Sequence, residues 1–128
     1  MEGSIVDCGD GIDRISAERR RQIERKGFDA EHDAQHPDGS MTAAAVCYAS
    51  DEPIYIKDEF ANGCTFKDPW PWEERFDKRP RSGTVLVTLL TLDERLSLLA
   101  KAGALIAAEI DNLLYKAKQA PKTPFAEP

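Results

Sequence analysis

A chain of 128 residues, 41% hydrophobic and 31% charged, is long enough to bury roughly two-thirds of its unfolded surface as one domain without metal or disulfide staples. It is too apolar for a chain that stays unfolded. Its net charge of −6 speaks against general binding to a nucleic acid backbone, and no apolar run reaches the ~18 residues of a membrane span.

Residues 1–15 read as an acidic, glycine-bearing lead-in with no basic n-region of a secretion signal. Cys8, Cys47 and Cys64 form an odd count with no C-x-x-C pair, which points to reduced thiols and a cytoplasmic setting. Ser16 can cap a first helix over residues 17–26, with Glu18 in its first turn and Gly27 as its left-handed stop. Arg19, Arg20, Arg21, Arg25 and Lys26 make this helix basic inside an acidic protein. The face is either solvated, with Glu18 and Glu24 pairing along it, or turned toward a phosphate.

Residues 28–39 are polar and turn-like and hold both histidines. A second helix follows over residues 40–49 with Asp38 as its N-cap. Ala43, Ala44 and Ala45 make it thin enough to pack closely on another helix. Pro53 ends that region, residues 54–56 read as a short strand, and Asn62-Gly63 reads as a turn. Pro69-Trp70-Pro71-Trp72 carries both tryptophans, residues 73–79 are highly charged, and residues 80–83 form a second turn. Residues 84–90 are β-branched and apolar, a strand or buried extended stretch that can pair with residues 54–56.

The chain is organised around residues 91–120, where apolar positions 92, 96, 99, 102/103, 106, 110 and 113/114 keep helical spacing for about six turns. Thr91 and Glu94 form a capping box, Lys116 and Lys118 mark the C-terminal end, and Pro121 stops the helix. Ala100, Ala102, Gly103, Ala104, Ala107 and Ala108 let another helix approach closely. The helix is apolar on more sides than two short helices can cover, so a homodimer is expected. Residues 121–128 are a proline-rich tail. The expected fold is mainly α: a small helical domain over residues 16–120, built on one long C-terminal helix, with a short two-stranded β ribbon in its middle.

His32-Asp33-x-x-His36 is the sharpest chemical pattern, since two histidines four apart on a helix, or folded together by a turn, can share one divalent metal with Asp33. Pro37 argues against this segment lying in the middle of a helix. Trp70 and Trp72 offer stacking faces beside Glu73, Glu74, Arg75 and Lys78, or else close the core over the helices. Arg19 and Arg21 offer forked donors suited to phosphate. Arg19, Arg21, His32, Asp33, His36, Trp70 and Trp72 thus form the candidate ligand site, with His32, Asp33 and His36 as candidate metal ligands. Glu18, Glu24, Glu109 and Asp111 are the carboxylates an all-α nucleotide pyrophosphohydrolase would need for magnesium, without that class's dense E-x-x-E array. Cys47, in an alanine-rich helix face, reads as a buried, inert thiol.

The blocks Ser16-x-Glu18-Arg19-x-Arg21-Gln22-Ile23, His32-Asp33-x-x-His36, Ala43-Ala44-Ala45-x-Cys47-Tyr48-Ala49, Trp70-Pro71-Trp72 and Lys101-Ala102-Gly103-Ala104-Leu105-Ile106-x-Ala108-Glu109-Ile110 follow one another in order. In these blocks the chain resembles a family of small proteins scattered through tailed bacteriophages and prophages. Ala34 stands where that family carries a second acidic residue, residues 76–80 replace its W-W-K-P, and residues 84–90 look like an insertion. The resemblance implies a phage-derived protein acting in the bacterial cytoplasm and brings no assigned activity. The expected role is an accessory protein that binds rather than catalyses, host-directed or counter-defence, with a bacterial protein or a small phosphorylated nucleotide as target. The alternatives are a metal-dependent, all-α nucleotide pyrophosphohydrolase-like enzyme and a structural or assembly protein.

Overall fold

The caps decide where the helices begin and end. The computed structural model describes residues 9–27 and 39–120. Helix α1 spans Gly11–Lys26. Asp10 Oδ1 accepts from the Asp13 N–H at 3.0 Å, and Asp13 Oδ2 accepts from the Asp10 N–H at 3.2 Å. This reciprocal box starts the helix at Gly11, which corrects the expected start at residue 17 under a Ser16 cap. Gly27, at φ 70, closes α1 as expected.

Helix α2, Ser40–Ala49, has the expected bounds, but its N-cap is Gly39 at φ 84. Asp38, expected in that role, lies outside the described residues. Helix α3, Leu92–Gln119, opens on the expected box: the Thr91 N–H donates to Glu94 Oε1 at 2.9 Å and the Glu94 N–H to Thr91 Oγ1 at 3.1 Å.

The core lies between α2 and α3. Met41, Ala44, Ala45 and Tyr48 pack on Leu98, Ala102, Leu105 and Ala108, with Trp70, Trp72 and Leu90 against the edge of this cluster. Ala44 and Ala104 are both 0% exposed, so the small residues do allow the close approach expected of them. Helix α1 packs on another side of α3, where Ile15 fills the space over Gly103.

Arg95 ties α3 to the end of α2. It donates to Ala49 O at 2.8 Å, to Ser50 O at 3.0 Å and to Asp51 Oδ1 at 2.7 Å. A cation there satisfies carbonyls that the helix leaves unpaired and faces the negative end of its dipole. Arg95→Ala is expected to lower stability by about 1–2 kcal/mol in urea unfolding, whereas Arg75→Ala, an exposed pair with Glu73, changes little.

Two antiparallel hairpins fill the stretch between α2 and α3. Strands β1 (Ile56–Phe60) and β2 (Gly63–Lys67) pair from Ile56↔Lys67 to Phe60↔Gly63. Strands β3 (Arg81–Ser82) and β4 (Val85–Leu86) make a two-residue ladder around Gly83, at φ 64. The expected pairing of residues 84–90 with 54–56 is corrected. Each strand meets a local partner across a glycine turn, which closes a shorter loop than a pairing across the intervening chain. Beyond Leu86 the apolar stretch leaves the ladder, and Leu89 is 88% exposed. The protein is thus mainly α, with a long C-terminal helix and two short hairpins. No described helix is long and apolar enough to cross a membrane.

Candidate functional site

Between the hairpins the one regular piece is a single 3-10 turn, Glu74–Phe76, and side chains satisfy most of the remaining polar groups. Arg79 is the hub. Its Nη2 donates to Asp68 at 2.8 and 3.0 Å and to Asp77 Oδ2 at 2.7 Å, while its Nε reaches Asp77 Oδ1 at 3.0 Å. Arg81 donates to Asp77 Oδ2 at 2.9 Å. The Asp77 side chain is 0% exposed and that of Arg79 only 7%. Tyr48 joins the cluster to α2: its hydroxyl accepts from the Lys78 N–H at 3.0 Å and donates to Phe76 O at 3.3 Å.

The tryptophans sit on this frame. Trp70 lies 5.3 Å from the Tyr48 ring, Trp72 stands edge-on to Trp70 at 5.6 Å, and the Arg79 guanidinium is 5.7 Å from the Trp70 ring. The Trp70 indole N–H donates to Glu73 O at 3.1 Å. Both tryptophans are half-buried against the core, so they brace the irregular segment as well as presenting an edge.

A shallow cleft with about 20 Å³ of room opens beside Arg79, Cys47 and Leu98, with Asp51 and Glu52 at its rim. It is small for a ligand pocket. Because two carboxylates already neutralise Arg79, the cleft offers no net positive charge to a phosphate. Burial pushes the Cys47 thiol up to about 11 and the Tyr48 hydroxyl up to about 12. Cys47 is therefore an inert thiol at neutral pH, as its sequence context implied.

Burial alone would raise the Asp77 carboxyl, yet hydrogen bonds from Arg79 and Arg81 hold it below the usual carboxylate range. Glu18 behaves alike: burial raises it, and Arg21, Lys101 and Gln22 together bring it down. A carboxyl lowered in the folded state binds fewer protons than in the unfolded chain. The stability it contributes is complete above the unfolded pKa and is lost as pH falls through the folded one. Urea midpoints should stay level from pH 7 to about 5 and drop below about pH 4. Asp77→Asn should flatten that drop.

Arg19 and Arg21, the two candidate phosphate ligands of α1, are engaged within the protein. Arg21 forks onto Glu18 at 2.7 and 3.0 Å, and Arg19 bonds Asp111 at 3.1 Å. Lys101 approaches Glu18 at 3.5 Å. Glu18 and Asp111, two of the carboxylates considered for magnesium, thus hold cations of the chain itself. Among the described residues no group of three or more histidines, cysteines and acids is close enough to hold a metal. His32, Asp33 and His36 lie outside the described residues. Of the seven candidate ligand residues, then, Arg19 and Arg21 sit where α1 meets α3, while Trp70 and Trp72 sit on the α2–α3 core.

The β1–β2 hairpin is the other notable surface. Phe60 and Phe66 are 59% and 64% exposed, and Tyr55 and Ile56 are also exposed. Its charges pair with one another, Lys57 with Glu59 at 3.2 Å and Lys67 with Asp58 at 3.4 Å. The arm is therefore locally neutral, with exposed aromatics set among paired charges.

Comparison with family models, with curated proteins and with solved structures finds no match.

Sequence reasoning missed Asp68, Asp77 and Arg79. The available signal was acids and arginines interleaved with prolines and tryptophans where no helix or strand is expected. Charges there must pair with one another if aromatics around them are to be buried.

Proposed function

We propose that this is a phage-encoded accessory protein that works in the bacterial cytoplasm by binding a bacterial protein, in a host-directed or counter-defence role. The observation that carries the binding surface is the β1–β2 arm, which holds exposed Phe60 and Ile56 on one face and Phe66 and Tyr55 on the other, on a strand pair that no third strand joins among the described residues. A two-stranded hairpin is marginal by itself, and aromatics on such an arm gain most by entering a partner's apolar groove or lengthening its sheet. The bacterial setting rests on the resemblance of the ordered motif blocks to a phage family. A protein target is favoured over a phosphorylated nucleotide because Arg19, Arg21 and Arg79 are each engaged by carboxylates.

The test is stoichiometric co-purification from bacterial cells, followed by reconstitution from two purified proteins. The Phe60→Ser/Phe66→Ser variant should bind the reconstituted partner about a hundredfold or more weaker, since each buried phenylalanine contributes roughly 1.5–3 kcal/mol. Equal binding by the variant would refute the arm as the contact. A thermal-shift response to nucleotides or cyclic nucleotides, with no protein partner, would support the nucleotide target instead. Turnover of a nucleotide with magnesium would support the hydrolase alternative.

A further inference from the structure

The outer face of α3 carries an apolar pattern that α1 covers at Gly103 and leaves largely open elsewhere. Leu92, Leu99, Ile106 and Leu113 recur every seventh residue, and Leu96, Gly103 and Ile110 follow each of the first three at the fourth. An apolar repeat of seven on a helix of 3.6 residues per turn drifts slowly around its axis and fits a second helix that coils with it. Inside the chain, Gly103 is covered by Ile15 of α1. Leu92, Leu99, Ile106, Ile110, Leu113 and Leu114 remain between 39% and 60% exposed.

We infer that this stripe is the contact surface of a homodimer, in which α3 packs antiparallel against α3 of a second copy. The contact stands on α3 alone and does not depend on what the hairpin arm binds. Three observations choose this occupant. The heptad pattern calls for another helix with the same pattern, and α3 itself is one; a two-fold contact needs only one self-complementary surface. Leu92, Leu99, Ile106, Ile110, Leu113 and Leu114 each keep 39–60% of their surface open, and closing two copies on each other takes that apolar area out of water. The ends of α3 are also opposite in charge, with Asp93 and Glu94 in the first turn and Lys116 and Lys118 in the last. Antiparallel packing sets the acidic end of one helix beside the basic end of the other and opposes the two helix dipoles. Parallel packing would set like beside like.

Sedimentation equilibrium on the full chain decides the first point. The parent should weigh twice its 14.2 kDa at micromolar concentration. Ile106→Glu/Ile110→Glu should weigh one chain with unchanged helical ellipticity, because both positions are exposed in the protomer. The Phe60→Ser/Phe66→Ser arm variant should remain a dimer. A parent of single-chain mass, a dimer that survives Ile106→Glu/Ile110→Glu, or one that dissolves with the arm variant would each overturn the inference. Orientation is read by mixing chains bearing Leu92→Cys with chains bearing Leu113→Cys on a C8S/C64S background. Antiparallel packing gives mixed disulfides in preference to self-linked ones, and the reverse preference would overturn the arrangement. If Ile106→Glu/Ile110→Glu loses ellipticity, these mixed disulfides still decide, since they need no destabilising charge.

Discussion

Replacing Arg79 with methionine should lower folding stability by about 3–5 kcal/mol, the largest effect of any single change considered. The reason is what the change leaves behind. Asp77, with no exposed side-chain surface, would keep its charge or its need for a proton while losing the hydrogen bonds from Arg79 Nε and Nη2. Asp68 would lose two more. Domains of this size have only about 5–15 kcal/mol in total, so the urea midpoint should fall by a large part of its value. Arg79→Lys should recover little, because an ammonium cannot fork between two carboxylates. Arg79→Met combined with Asp77→Leu should be less harmful than Arg79→Met alone, because it removes the buried carboxylate that Arg81 alone would otherwise have to hold. If Arg79→Met melts like the parent, the cluster is solvated and contributes nothing.

Gly103→Leu should destabilise by about 1–3 kcal/mol through overpacking. A Cβ at this position would lie 2.5 Å from Ile15 Cδ1 and 2.6 Å from Ile15 Cγ1, well inside van der Waals contact, so α1 must shift or Ile15 must leave its place. Trimming the neighbour should relieve the clash: Gly103→Leu/Ile15→Ala should be more stable than the sum of the two single changes predicts. Strict additivity in that cycle would show that α1 does not press on Gly103.

The three helices were legible because each carries local chemistry that needs no tertiary information. The Thr91–Glu94 box, the alanine run of α2 and the glycine stop at Gly27 all read directly from the chain. The start of α1 was missed because Asp10 and Asp13 flank Gly11, and a glycine beside aspartates looks like a turn until both carboxylates are seen capping. Strands β1 and β2 were hidden for a different reason. Neither face of that hairpin is buried, so Lys57-Asp58-Glu59 shows none of the apolar alternation by which a strand is recognised. The Arg79 cluster was hidden most completely. A run such as Asp77-Lys78-Arg79 looks the same whether it is solvated or folded inward, and only the surrounding aromatics and the burial of Asp77 distinguish the two.

Both indoles of the protein lie on the same side of the core, Trp70 against Tyr48 and Trp72 against Trp70. Tryptophan emission is accordingly a reporter of one district, the segment clamped by Arg79, and is silent about α1. Far-UV ellipticity weights the residues of α1, α2 and α3 instead. Recording both signals in one denaturation therefore gives a built-in test of cooperativity. When the clamp and the helices come apart together, the two curves superimpose. When Asp68 or Arg79 is altered so that only the clamp loosens, the emission change runs ahead of the ellipticity.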